Sequence, residues 1–138
     1  GPIYSDLVPA GGADVVLAVE PLEALRQIRY LGPGGWLLAN RTPVTNIDNY
    51  PDLEDVYRDI ERIPNHVLVD ADEFARDAGS GRAMNMVMLG AVSQRLDIPA
   101  ERFRSVIRDR FSPKGERVVG TNLRAFQLGR DAVTESIA

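Results

Sequence analysis

The chain of 138 residues contains no cysteine. That excludes disulfides, thiolate nucleophiles, the usual structural zinc sites and any iron–sulfur cluster held by this chain. Histidine is nearly as scarce: His66 stands alone at the start of an apolar run, without the companions a common zinc set needs, and reads as structural. No metal site is expected. Of the 16 basic residues only Lys114 is a lysine; the rest are arginines, suited to bidentate contacts with carboxylate or phosphate but read mostly as solvated. No apolar run reaches the ~20 residues of a membrane span, and no basic-then-apolar leader is visible. These absences fit a cytoplasmic protein. A Gly-x-Ser-x-Gly elbow is also missing, and no nucleophile–base pair follows from spacing, so no catalytic residue is expected.

What is present suits one globular domain: 44% hydrophobic residues, 26% charged, and a net charge of -4. An acidic balance argues against a nucleic acid or an anionic membrane as the main partner. The organising stretch is Ala13–Asn40. Val15–Val19 is a continuous, mostly β-branched run suited to a strand buried on both faces. Pro21 fits the first turn of a helix, whose Leu22, Leu25, Ile28 and Leu31 form one apolar stripe. Gly32-Pro33-Gly34-Gly35 is expected to stop that helix as a turn, and Trp36–Ala39 to form a second strand. Strand, helix and strand this close together imply a right-handed parallel unit.

Further on, Arg41–Pro51 reads as a loop and Asp52–Ile63 as an amphipathic helix. His66–Val69 is a third strand. Asp70 and Glu73 have the spacing of a capping box at the start of another helix. After the Gly79-Ser80-Gly81 break, Arg82–Leu96 is apolar nearly all round, as a buried helix is. Gly90 within it points to close packing against another backbone. Two more helices follow, to about Phe111 and over Glu116–Gly129; buried Asn122 needs partners. The polar tail Arg130–Ala138 is expected to fray. The fold class is therefore α/β, three layers around a mainly parallel sheet, with a helix-rich second half.

Ligands in such sheets sit beyond the carboxyl ends of the strands. Glu20, Asn40 and Thr42 occupy those ends. Arg82 and Asn85 share one face of a helix start, where an anion can bind. These five are the candidate residues for a ligand or a partner. Glu20 capping its own helix and Arg82 and Asn85 satisfying loop carbonyls are the structural alternatives. One reading of the chain is thus a stand-alone module for an anionic ligand or a partner chain.

Five ordered blocks carry a resemblance: SDLVPAGGADVVLAVEPLEALR, GGWLLANRTPV, VDADEFARDAG, GRAMNMVMLGA and TNLRAFQLGRD, spanning Ser5 to Asp131. Together they resemble the gamma-type domain of 2-oxoacid:ferredoxin oxidoreductases, and within it the beta subunit of the indolepyruvate branch. The resemblance implies a non-catalytic subunit or domain of an enzyme that oxidatively decarboxylates a 2-oxoacid, an arylpyruvate in this branch, to an acyl-coenzyme A. It implies that thiamine diphosphate and iron–sulfur clusters lie in a larger partner subunit, which passes electrons to ferredoxin, and that coenzyme A acts in the complex. Residues 1–138 are read as a single domain that lacks the family's opening strand and Gly-x-Gly-Gly-x-Gly turn, as a fragment or a natural short form. An apolar strand edge is then expected to lie open, covered by the partner chain or by a second copy.

Overall fold

Three parallel strands form the sheet, in the order β1 (Ala13–Ala18), β2 (Leu31–Asn40), β3 (His66–Val69). The structure is a computed structural model, and it describes residues 5–45 and 48–137. Val15–Ala18 of β1 runs beside Trp36–Ala39 of β2, and Leu37–Asn40 beside His66–Val69 of β3. The apolar runs therefore lie side by side in one parallel sheet, but the expectation that Val15–Val19 is buried on both faces is corrected: β1 is paired on one side only among the described residues, and Leu17 and Val19 stay exposed. Parts of the expected segments Ile3–Pro9 and Arg41–Pro51 fall outside the described residues; from Ser5 to Pro9 the chain is irregular and exposed.

The alternation of side chains on β2 separates two cores. Leu37 and Ala39 join Val16 and Ala18 of β1 on one face. There they meet α1 (Pro21–Gln27) and α2 (Leu53–Glu61) through Ala24, Val56 and Ile60. Leu38 joins Val67 and Val69 on the other face. That face is covered by α3 (Ala71–Ala78), α4 (Met84–Ser93) and α6 (Glu116–Ile137), through Ala75, Val87, Met88, Ala125 and Val133. Strand order 1-2-3 with right-handed crossovers puts both crossover helices on one side, and the later helices fill the other. The result is the three-layer α/β/α arrangement. The remaining helix, α5 (Ala100–Phe111), rests on α6, where Phe103 stacks on Phe126 with ring centroids 5.6 Å apart.

The expected turn at Gly32–Gly35 is instead part of β2. The helix ends early, at Gln27, and a 3-10 turn at Ile28–Tyr30 leads straight into the strand. Ala13 pairs with Leu31 and Val15 with Trp36, so β2 carries extra residues between the two pairs. This bulge needs glycine: a Cβ on Gly32 would stand 2.8 Å from the Gly11 carbonyl oxygen, and Gly34 has φ +72°. Glycine accepts both demands at no steric cost.

Two further expectations are corrected. Asp70 stands at the N-cap of α3 but makes no side-chain capping bond. Its carboxylate pairs with Arg41 at 3.2 Å, and the Asn40 side chain takes the Ala71 N–H instead. The tail does not fray after Gly129. α6 continues to Ile137 because Val133 is fully buried in the second core.

Close contact of α4 with α6 rests on two glycines. A Cβ on Gly90 would fall on the Phe126 carbonyl, and one on Gly129 on the Val87 carbonyl. The helices run antiparallel through this crossing, backbone against backbone.

Candidate functional site

The five candidate residues fall into two groups at opposite ends of α3. Glu20, Asn40 and Thr42 do lie at the ends of the strands. Glu20 accepts a hydrogen bond from the Glu23 N–H at 2.8 Å, capping α1, and a second from the Tyr50 hydroxyl. Burial and this carboxylate push the Tyr50 phenol up to about 12. Asn40, only 2% exposed, donates to Asp72 at 2.8 Å and accepts from the Ala71 and Thr42 N–H groups, both at 3.3 Å. Thr42 itself is exposed. Arg41, between them, pairs with Asp70 and lies over the Tyr57 ring, 5.2 Å from its centroid. The polar capacity of the strand ends is thus spent largely inside the protein. Glu20 and Asn40 hold the starts of α1 and α3 against the sheet.

Arg82 and Asn85 lie at the far end of α3. Gly79, with φ 122°, ends that helix, and the 3-10 turn Gly81–Ala83 leads into α4, with Ser80 Oγ accepting the Arg82 N–H at 3.2 Å. Here a cavity of about 650 Å³ opens between the α3–α4 connection, the end of α5 and the first turns of α6. Arg82 and Asn85 line it together with Arg110, Lys114 and Arg117. No acidic residue lines it. Met86, Phe111 and Val118 supply an apolar wall, and Thr121 and Asn122, each 7% exposed, stand at its inner side. Asn122 donates to the Val118 carbonyl at 2.8 Å, which gives this buried asparagine the partner it needs.

Sequence reading missed Arg110, Lys114, Arg117 and Thr121. Arg110 and Arg117 are separated by a proline–glycine connection and flanked by Asp109 and Glu116, so acids and bases alternate along this stretch and no basic cluster stands out. The only signal was the base-rich stretch itself. The fold turns the acids away from the cavity and the bases toward it.

A second feature is an uncovered part of the sheet. Leu17 pairs in register with Leu38, which is fully buried, so both belong to the α4–α6 face. Yet Leu17 is 41% exposed and Val19 beyond it 48%. The helical layer covers β2 and β3 but stops short of the end of β1. β1 is also an edge strand, paired on one side only among the described residues. Beside it an apolar groove of about 450 Å³ is lined by Leu7, Val8, Val15 and Tyr30, among others. Among the described residues β1 therefore presents an apolar edge.

Among the described residues no group of three His, Cys, Asp or Glu side chains is arranged to hold a metal ion, and no helix is long and apolar enough to cross a membrane.

The family profile of pyruvate ferredoxin/flavodoxin oxidoreductases matches residues 1–132. The chain is 37% identical, over 145 aligned positions, to the indolepyruvate oxidoreductase subunit IorB of Pyrococcus horikoshii, with 98% of this chain and 70% of that protein covered. It is 35% identical to the IorB subunit of Thermococcus kodakarensis, with the same coverage. Among solved structures it resembles a 2-oxoglutarate:ferredoxin oxidoreductase from Magnetococcus marinus, solved with 2-oxoglutarate, coenzyme A and succinyl-CoA bound. That likeness has a TM-score of 0.67 at 26% identity and covers 95% of this chain but 22% of the other.

Proposed function

Because the chain belongs to the pyruvate ferredoxin/flavodoxin oxidoreductase family, we propose that it serves as a non-catalytic subunit of a 2-oxoacid:ferredoxin oxidoreductase that acts on indolepyruvate or a related arylpyruvate. The observation that carries this reading is the match to IorB subunits along nearly the whole chain, at 35–37% identity. The uncovered end of β1 supports it physically. Fully burying a leucine or valine side chain is worth about 1.5–3 kcal/mol. Leu17 and Val19 leave nearly half of that unrealised in the isolated chain. A partner surface laid over β1 recovers it and pairs the open strand edge as well.

The division of labour follows from the donor set. An iron–sulfur cluster requires thiolates, and the chain has no cysteine. We assign the clusters and the thiamine diphosphate to a larger partner subunit, which delivers electrons to ferredoxin, and the role of this chain is to complete and hold that subunit's working form.

Reconstitution tests the reading. The large subunit is assayed for indolepyruvate-dependent, coenzyme A-dependent reduction of ferredoxin, with and without this chain. Strong dependence on the chain is expected. Full activity of the large subunit alone overturns the reading.

A further inference from the structure

We propose that the cavity at the far end of α3 is a binding site for a small molecule bearing a diphosphate group, with Arg82, Arg110, Lys114 and Arg117 as its cationic contacts. This goes beyond the subunit role and does not depend on it, since every contact comes from this one chain.

Charge selection is the first argument. The protein has 20 acidic and 16 basic residues, yet the ionised groups lining this cavity are all positive. Six of the arginines elsewhere are paired with acids: Arg26 with Glu23, Arg41 with Asp70, Arg58 with Asp55, Arg62 with Asp59, and Arg104 and Arg108 with Glu101; Arg124 and Arg130 instead donate to the Ala78 carbonyl and the Ser93 hydroxyl. Among the described residues none of the four cavity cations forms an ion pair. Unpaired like charges around a concave surface repel one another and concentrate a positive potential there. An anion relieves that repulsion.

The cations come from three separate segments: Arg82 from the 3-10 turn before α4, Arg110 and Lys114 from the end of α5 and the turn after it, and Arg117 from α6. A single carboxylate is satisfied by one arginine fork. Phosphoryl groups present many oxygens and more than one negative charge, so they use several forks at once. The inner side adds neutral donors. The Thr121 hydroxyl oxygen only accepts, from Arg124 at 3.4 Å, which leaves its own hydrogen to donate. At about 650 Å³ the cavity exceeds what inorganic phosphate fills, and Met86, Phe111 and Val118 provide an apolar wall for the rest of such a ligand.

The test is titration calorimetry on the full-length subunit at constant ionic strength, with inorganic pyrophosphate, ADP and coenzyme A as probes. All three share the diphosphate, and one-to-one saturable binding of each is expected. Arg82→Ala and Arg117→Ala each weaken it about tenfold, the worth of a charge-assisted hydrogen bond. Arg62→Ala, at an exposed pair on another face, leaves it unchanged. Should an alanine variant melt early, Arg117→Lys keeps charge and fold while losing the fork, and weakens binding less than Arg117→Gln does. Silence with all three probes at about 10 mM overturns the proposal. So does equal weakening by Arg62→Ala, or binding of coenzyme A while pyrophosphate and ADP stay silent. Displacement of pyrophosphate by a short polyglutamate peptide at equal concentration also overturns it, in favour of an acidic protein segment.

Discussion

Gly90 of α4 lies directly against the Phe126 carbonyl of α6, with no room for a methyl group between them. The same crossing repeats three residues on, where Gly129 meets Val87. This contact sets the spacing of the two helices that cover β2 and β3. Gly90→Ala forces the helices apart and is expected to destabilise the protein by about 3 kcal/mol. Urea unfolding checks it; a loss under 0.5 kcal/mol, roughly that of an ordinary surface change, contradicts the packing described.

Asn40 joins the end of β2 to the start of α3. Asn40→Ala leaves the buried Ala71 N–H without its acceptor and is expected to cost about 1–3 kcal/mol. Asn40→Asp keeps the acceptor but faces the Asp72 carboxylate at the position where Asn40 now donates. Two carboxylates in that position repel, so Asn40→Asp is expected to destabilise the protein at neutral pH even though it keeps the acceptor. Thermal melts of the two variants check both.

Tyr50 ionises late because burial, and then the Glu20 carboxylate, disfavour the phenolate. An unfolded tyrosine loses its proton near 10 and the folded one at about 12. The unfolded chain therefore releases that proton first. The contribution is complete below pH 10 and is lost as pH rises from 10 to 12. Spectrophotometric titration is expected to show one phenol ionising near pH 12. Tyr50→Phe removes that phase and costs about 1 kcal/mol at neutral pH, the worth of its hydrogen bond. If the late phase persists in the variant, it belongs to another tyrosine.

Much of the fold was legible in the sequence, for identifiable reasons. Val15–Val19, Trp36–Ala39 and His66–Val69 are apolar runs too short for helices and too continuous for surface strands, and all three took their places in one parallel sheet. Gly90 announced the close helix crossing. Gly32–Gly35 misled because proline and glycine usually mark turns, whereas here glycine lets β2 bulge past the carbonyls of Gly11 and Ala13. The end of α6 misled because a single buried valine, Val133, holds a segment that is otherwise polar. At the site, Arg82 and Asn85 could be paired from helical spacing. Arg110, Lys114 and Arg117 could not join them, since only the fold folds a stretch nearly thirty residues away onto the same cavity. Glu20 and Asn40 were placed correctly at the strand ends, but their hydrogen bonds are spent on the protein itself.

The account turns on β1 as the face that a partner subunit covers, and association measures this directly. The wild-type chain and a Leu17→Lys/Val19→Lys variant are each co-expressed with the large subunit and purified through the latter. Both positions are substantially exposed, so the variant alone is expected to melt within a few degrees of wild type. Recovery of the wild-type chain in one-to-one ratio and loss of the variant is the predicted result. Equal recovery of the two chains would contradict the claim.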